Sequence, residues 1–223
     1  MAFKVIKEDI IKANDNVADD IRKKMKEHNV LMLNMISSPG SGKTSLLEKI
    51  GPMLKKMDVN AAIVAGDCFT SRDAERLNAL DIEVVQINTG NSCHIDAQLV
   101  AKSLEGMDFD KLDLIIVENV GNLVCPAEFD IGEDHKIAVF STAEGEDKPI
   151  KYPLLVKESI YGIINKIDLL PYTDFNIDFF RTSIKKLNPN MKIVETSCKT
   201  GLGLEELAGW IKEKTNEKKE TPR

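Results

Sequence analysis

Short apolar blocks alternate with amphipathic stretches along most of the chain. From about Glu8 to Glu27, Ile10, Ile11, Val17, Ile21 and Met25 mark one side of a charged segment, which predicts a helix lying on the outside of a sheet. Val30–Ile36 reads as a first strand, and a helix from Ser45 to about Met57 follows a glycine-rich turn. Ala61–Ala65 predicts a second strand, with a short helix near Arg72–Leu80 after it. Ile82–Ile87 predicts a third, with a helix near Asp96–Leu104. Leu114–Glu118 is apolar up to its last residue, as expected of a strand buried on both faces of a parallel sheet. Ile137–Ser141, Tyr161–Asn165 and Lys192–Thr196 predict three more strands, and Leu204–Lys214 a final helix. Strands alternating with helices give an α/β doubly wound, mostly parallel sheet with helices on both faces. The expected organisation is an N-terminal amphipathic helix over 1–28 packed on a domain over 29–214, then a frayed polar tail over 215–223.

One turn stands out. Ser37-Ser38-Pro39-Gly40-Ser41-Gly42-Lys43-Thr44 lies between an apolar strand and a helix. Glycines permit a tight turn whose backbone N–H groups point inward, and the helix after it aims its positive end at the same spot. This is the layout of a P-loop, and it makes 29–214 a P-loop NTPase domain. Ser38, Pro39, Gly40, Ser41, Gly42 and Ser45 would cradle phosphate. Lys43 would reach the β- and γ-phosphates, and the Thr44 hydroxyl would hold Mg²⁺. Ser37 stands where the first glycine is usual, which the loop tolerates if Ser37 keeps an ordinary backbone conformation. The alternative is a plain strand–helix turn.

In doubly wound sheets, ligands collect at the carboxyl ends of the strands. Asn165-Lys166-Ile167-Asp168 ends a predicted strand and resembles the guanine-specificity motif of GTP-binding proteins. The Asp168 carboxylate can accept from guanine N1–H and from the exocyclic amine, which adenine cannot match. The Lys166 stem can cover the base, and Asn165 can tie its loop to the P-loop. Ser197-Cys198-Lys199 follows the next strand and resembles the loop that offers a backbone N–H to guanine O6, with Cys198 a small packed thiol in place of alanine. Glu118-Asn119-Val120-Gly121 occupies the position of an Asp-x-x-Gly motif. Glu118 would face Mg²⁺, and the Gly121 N–H would meet the γ-phosphate. Lys43, Thr44, Glu118 and Gly121 would therefore carry hydrolysis. Asp67 and Asp73 are further carboxylates for the Mg²⁺ side, with a helix N-cap the alternative for Asp67. Asn122, not Gln, follows Gly121, so slow intrinsic hydrolysis is expected.

Cys93-His94 and Cys125 supply thiolates and an imidazole, the ligand types of Zn²⁺ and Ni²⁺. They make three ligands, so either a position stays open or a second copy of the chain contributes. The alternative is a pair of core thiols beside an ordinary histidine. All three are expected on loops at the nucleotide edge. His28 and His135 have no such neighbours and read as surface residues.

Composition narrows the classes. The 223 residues are 43% hydrophobic and 30% charged, with a net charge of −6. That charge argues against a phosphate-backbone binder, so no nucleic-acid partner is expected. No apolar stretch approaches a membrane span, and the N-terminus lacks the apolar core of a signal peptide. The four scattered cysteines, Cys68 among them, fit free or metal-bound thiols in a reducing cytoplasm.

The P-loop, Gln86-Ile87-Asn88-Thr89-Gly90, Cys93-His94-Ile95-Asp96-Ala97 and Glu118 to Pro126 together resemble HypB, a family of SIMIBI-class GTPases that assist nickel insertion into [NiFe] hydrogenase. The resemblance runs from about the first strand to the last helix. It implies a GTPase that uses GTP and Mg²⁺ and dimerises when GTP is bound. It also implies an interface Ni²⁺ or Zn²⁺ site on Cys93, His94 and Cys125. The implied partners are a HypA-type nickel chaperone and the precursor of the hydrogenase large subunit. Many members carry an extra N-terminal cysteine motif, and some a His-rich stretch; this sequence contains neither, and no N-terminal nickel site is expected of it. The competing readings are a GTPase chaperone of another enzyme (urease-type UreG or a cobalamin-enzyme chaperone), a P-loop kinase, and a metal-binding module with a vestigial nucleotide site.

Overall fold

The computed structural model describes the backbone of residues 6–67, 82–90 and 92–221, and their side chains from residue 11 onward, Asp67 apart. The helix expected near Arg72–Leu80, Cys68 and Asp73 lie outside the described residues. Among them, seven strands form one parallel sheet: β1 (Leu31–Ser37), β2 (Ala61–Asp67), β3 (Glu83–Asn88), β4 (Leu114–Gly121), β5 (His135–Ser141), β6 (Ser159–Asn165) and β7 (Lys192–Glu195). Their order is β3-β2-β4-β1-β5-β6-β7, with every adjacent pair parallel. The first strand is central, and all seven of its residues are buried.

Period-2 alternation sorts the β1 side chains between two layers. Leu31, Leu33 and Met35 join one core with Leu46, Leu47 and Ile50 of α2 (Lys43–Lys56). That core also holds Leu207, Trp210 and Ile211 of the C-terminal helix (Leu204–Glu220). Met32 faces the opposite core, with Ala18, Ile21 and Met25 of α1 (Ile6–His28) and Val100 of α3 (Ala97–Ser103). Each fully buried Leu, Ile, Val or Met among them contributes on the order of 1.5–3 kcal/mol. Farther along that face, Ile36 and Phe140 pack with Leu155 of α6 (Pro153–Glu158) and Phe180 of α7 (Ile177–Leu187). Short helices α4 (Cys125–Glu128) and α5 (Lys148–Lys151) sit between these elements.

Several boundaries differ from the sequence-based expectation. The C-terminal helix, α8, continues past Lys214 to Glu220. Thr215 is buried with its hydroxyl bonded to Ile211 O at 2.8 Å, and Lys218 and Lys219 pair with Asp134 and Asp113. The expected frayed tail is thus docked helix through Glu220. The fourth strand runs beyond Glu118 to Gly121, because it still pairs with β1 there. The register moves from Met35↔Glu118 to Ser37↔Gly121, so β4 holds one extra residue in a bulge. His135 opens β5 and is half-buried, and that burial lowers its pKa. His28 bonds Asp110 at 3.0 Å and lies against the Phe109 ring.

Candidate functional site

A cleft of about 380 Å³ opens at the carboxyl ends of the central strands, lined by the 39–45 turn with Gly66, Glu118, Gly121 and Lys166. Gly40 and Gly42 have φ of 76° and 101°, a region in which a Cβ is strained. A Cβ on Gly42 would also lie 2.5 Å from Asn165 Nδ2. Ser37 is not among the positive-φ residues, so the serine fits. Its hydroxyl donates to Ser38 O at 2.7 Å and accepts from the buried Lys43 Nζ at 2.8 Å. The Thr44 hydroxyl donates to Glu118 Oε1 at 2.7 Å, both residues being buried. Gly121 closes on the same turn, where a Cβ would stand 2.7 Å from Pro39 Cα.

The loops after β6 and β7 lean on the turn. Asn165 Nδ2 donates to Ser41 O at 2.9 Å, and Lys166 Nζ to Gly40 O at 2.6 Å. Lys166 itself has φ of 61°. Ser197 Oγ donates to Asp168 Oδ1 at 2.6 Å and accepts the Lys199 N–H at 3.2 Å, which joins the two loops. Cys198 packs against the core, and burial raises its pKa. Asp67 ends β2 at the same edge.

Two side chains absent from the expectations also touch the turn. Ser41 Oγ donates to Glu144 Oε1 at 2.5 Å, and Lys148 Nζ to Ser38 Oγ at 3.3 Å. Both follow β5, whose neighbour is β1, so their place beside the turn was readable only from strand order.

Beyond the turn, Cys93, His94 and Cys125 bring their ligand atoms within 4.8 Å of one another. The two sulfurs stand 3.0 Å apart, and Cys93 Sγ lies 3.6 Å from His94 Nδ1. Cys125 is the first residue of α4, not a loop residue, with Pro126 fixing the helix start. Asp96 caps α3 just after His94, accepting from Leu99 N at 2.8 Å. His94 stacks on Phe129 with centroids 4.1 Å apart, a contact no sequence spacing announces. Burial lowers the His94 pKa against the pull of Asp96 and Glu128, favouring the neutral imidazole a metal requires. Asn122 Nδ2 donates to Cys93 O at 3.1 Å and Asn119 Oδ1 accepts the Ile95 N–H at 3.1 Å, so this loop is bonded to the end of β4.

A profile of the CobW/HypB/UreG nucleotide-binding domain matches residues 31–195. The probable hydrogenase maturation factor HypB of Methanocaldococcus jannaschii is 40% identical over 96% of both chains. Hydrogenase maturation factor HypB of Azotobacter vinelandii is 42% identical over 92% of this chain and 68% of its own length. Among solved structures, HypB from Helicobacter pylori in complex with nickel superposes with a TM-score of 0.87 at 32% identity, over 95% of this chain and 99% of that one.

Proposed function

This chain belongs to the HypB hydrogenase maturation factors of the CobW/HypB/UreG family, and on that premise we propose that it is a slow GTPase that hands on nickel during [NiFe] hydrogenase maturation. The observation that carries the reading is the two-ended stretch from Glu118 to Cys125. At one end, the Glu118 carboxylate takes the Thr44 hydroxyl; at the other, Cys125 meets Cys93 and His94.

The phosphates of GTP would lie on the 38–45 turn, with Lys43 swinging from Ser37 to them and the Gly121 N–H at the γ-phosphate. Asp168 would select guanine through two charge-assisted hydrogen bonds, with Lys166 over the base and the 197–199 loop at O6. The Thr44 and Glu118 oxygens suit a hard cation, so these residues would hold Mg²⁺, with Asp67 and Asp73 as further candidate ligands. When bound, Mg²⁺ neutralises charge on the transferring phosphoryl group. The Asn122 amide donates to Cys93 O and accepts the Val124 N–H, which fits slow hydrolysis without a water-orienting residue.

Nickel is the cargo. Two sulfurs and a neutral imidazole suit Ni²⁺ and also Zn²⁺. Three ligands from one chain, with Cys93 exposed, suit a site shared by two copies when GTP is bound. The further partners would be a HypA-type nickel chaperone and the precursor of the hydrogenase large subunit, in the cytoplasm. GTP would order the stretch from Glu118 to Cys125, and hydrolysis would loosen it and release the metal. Turnover of GTP without an acceptor substrate, with ATP failing to compete, is the test. ATP competing equally, or turnover of many per second, would count against the reading.

A further inference from the structure

We infer that Asn119 is a positioning residue that ties the Cys93–His94 loop to the nucleotide-facing strand, so that the phosphate site sets the geometry of the metal ligands. The inference rests on the two-site reading above and names the bond that joins the sites.

Glu118 and Asn119 are neighbours on β4, so their side chains leave opposite faces of the sheet. Glu118 faces the P-loop and accepts from Thr44. Asn119, 1% exposed, faces the other way. Its Oδ1 accepts the N–H of Ile95, the residue after His94, at 3.1 Å, and that of Val120 at 3.0 Å. Its Nδ2 donates to Asn34 Oδ1 at 3.2 Å; Asn34 Nδ2 donates to Glu133 Oε1 at 3.1 Å; Glu133 Oε2 accepts Ile131 N–H at 2.8 Å. Asn34 is fully buried and Glu133 nearly so.

Each member of this chain fixes the next. Asn34 presents an oxygen, so Asn119 must turn its nitrogen there and its oxygen to Ile95. A buried polar network is tolerated only when its members are satisfied, and then it specifies one geometry. The Ile95 side chain is held as firmly as its backbone. It fills the notch at Gly66, where a Cβ would come within 2.4 Å of Ile95 Cδ1 and 3.2 Å from Glu118 O. The bulge of β4 lies at these same residues. A shift of Glu118 toward a ligand at the P-loop therefore drags Asn119, Ile95 and, one residue before it, His94.

The test uses the full chain, nickel as the probe, and either GDP or a non-hydrolysable GTP analogue with Mg²⁺. In the wild type, nickel affinity should differ between the two nucleotide states by about 10-fold or more. In Asn119→Ala, nickel and nucleotide should still bind, and the ratio should fall to about 1. A ratio in Asn119→Ala equal to that of the wild type would overturn the inference and leave the two-site reading standing. A wild-type ratio of about 1 would overturn both. Hydrogen exchange at the Ile95 amide of the wild type tests the tie without any variant. Slow exchange is expected in both nucleotide states, and fast exchange in either breaks the tie.

Discussion

Thr44 and Glu118, 74 residues apart in sequence, share a buried hydrogen bond of 2.7 Å across the carboxyl ends of β1 and β4. The strand pairing that makes it possible is Met35↔Glu118. If this pair holds Mg²⁺, Glu118→Ala should weaken Mg²⁺-dependent binding of the GTP analogue by about 10-fold or more. The lost buried bond should also lower folding stability by about 1–3 kcal/mol. Titrating nucleotide with and without Mg²⁺ separates the two effects.

Base selection gives a second prediction. Asp168 lies at the β6 edge, bonded by Ser197. Asp168→Asn replaces a double acceptor by a group that also donates. GTP affinity should fall by about 10- to 100-fold, and affinity for xanthosine triphosphate should rise. Competition binding with both nucleotides checks it.

The turn itself admits little change. Gly42→Ala places a Cβ at a φ of 101° and 2.5 Å from Asn165 Nδ2. The variant should lose nucleotide binding and on the order of 1–3 kcal/mol of stability. Gly40, with φ of 76° and nothing within 4 Å of a built Cβ, should tolerate alanine better in thermal unfolding.

The sulfurs of Cys93 and Cys125, 3.0 Å apart, predict an intramolecular disulfide under a thiol-specific oxidant, with bound nickel protecting both. Cys198, half-buried with a raised pKa, should alkylate more slowly than exposed Cys93. Peptide mass mapping after timed alkylation reads both outcomes.

Burial lowers the pKa values of His94 and His135 below 6.5. The unfolded chain then binds more protons than the folded one as pH falls through that value. Their contribution to stability is present above about pH 6.5 and is lost below it. In chelator, His135→Gln should show a smaller fall in melting temperature between neutral and mildly acid pH than the wild type.

The central strands were legible because they are buried on both faces, and a run such as Leu114–Val117 has little alternative. The P-loop was legible because its glycines serve backbone geometry within eight residues. The amphipathic pattern of Ile177, Phe180, Ile184 and Leu187, capped by Asn176, is a fainter signal, since half of that helix is exposed. The reach of α8 past Lys214 depends on Asp134 and Asp113, distant in sequence. The spacing of Cys93, His94 and Cys125 fits no compact motif. Their meeting depends on the β4 bulge, the Asn119–Ile95 bond and the Phe129 stack, which are tertiary.

The decisive measurement is nickel content per chain and oligomeric state together, in GDP and in a non-hydrolysable GTP analogue with Mg²⁺. Wild type would be run beside Cys93→Ser and Cys125→Ser. The analogue should drive dimerisation with nickel uptake in the wild type, and both variants should lose the metal. Nucleotide binding with no nickel in either state, or nickel uptake unaffected by the two substitutions, would contradict the nickel-delivery reading.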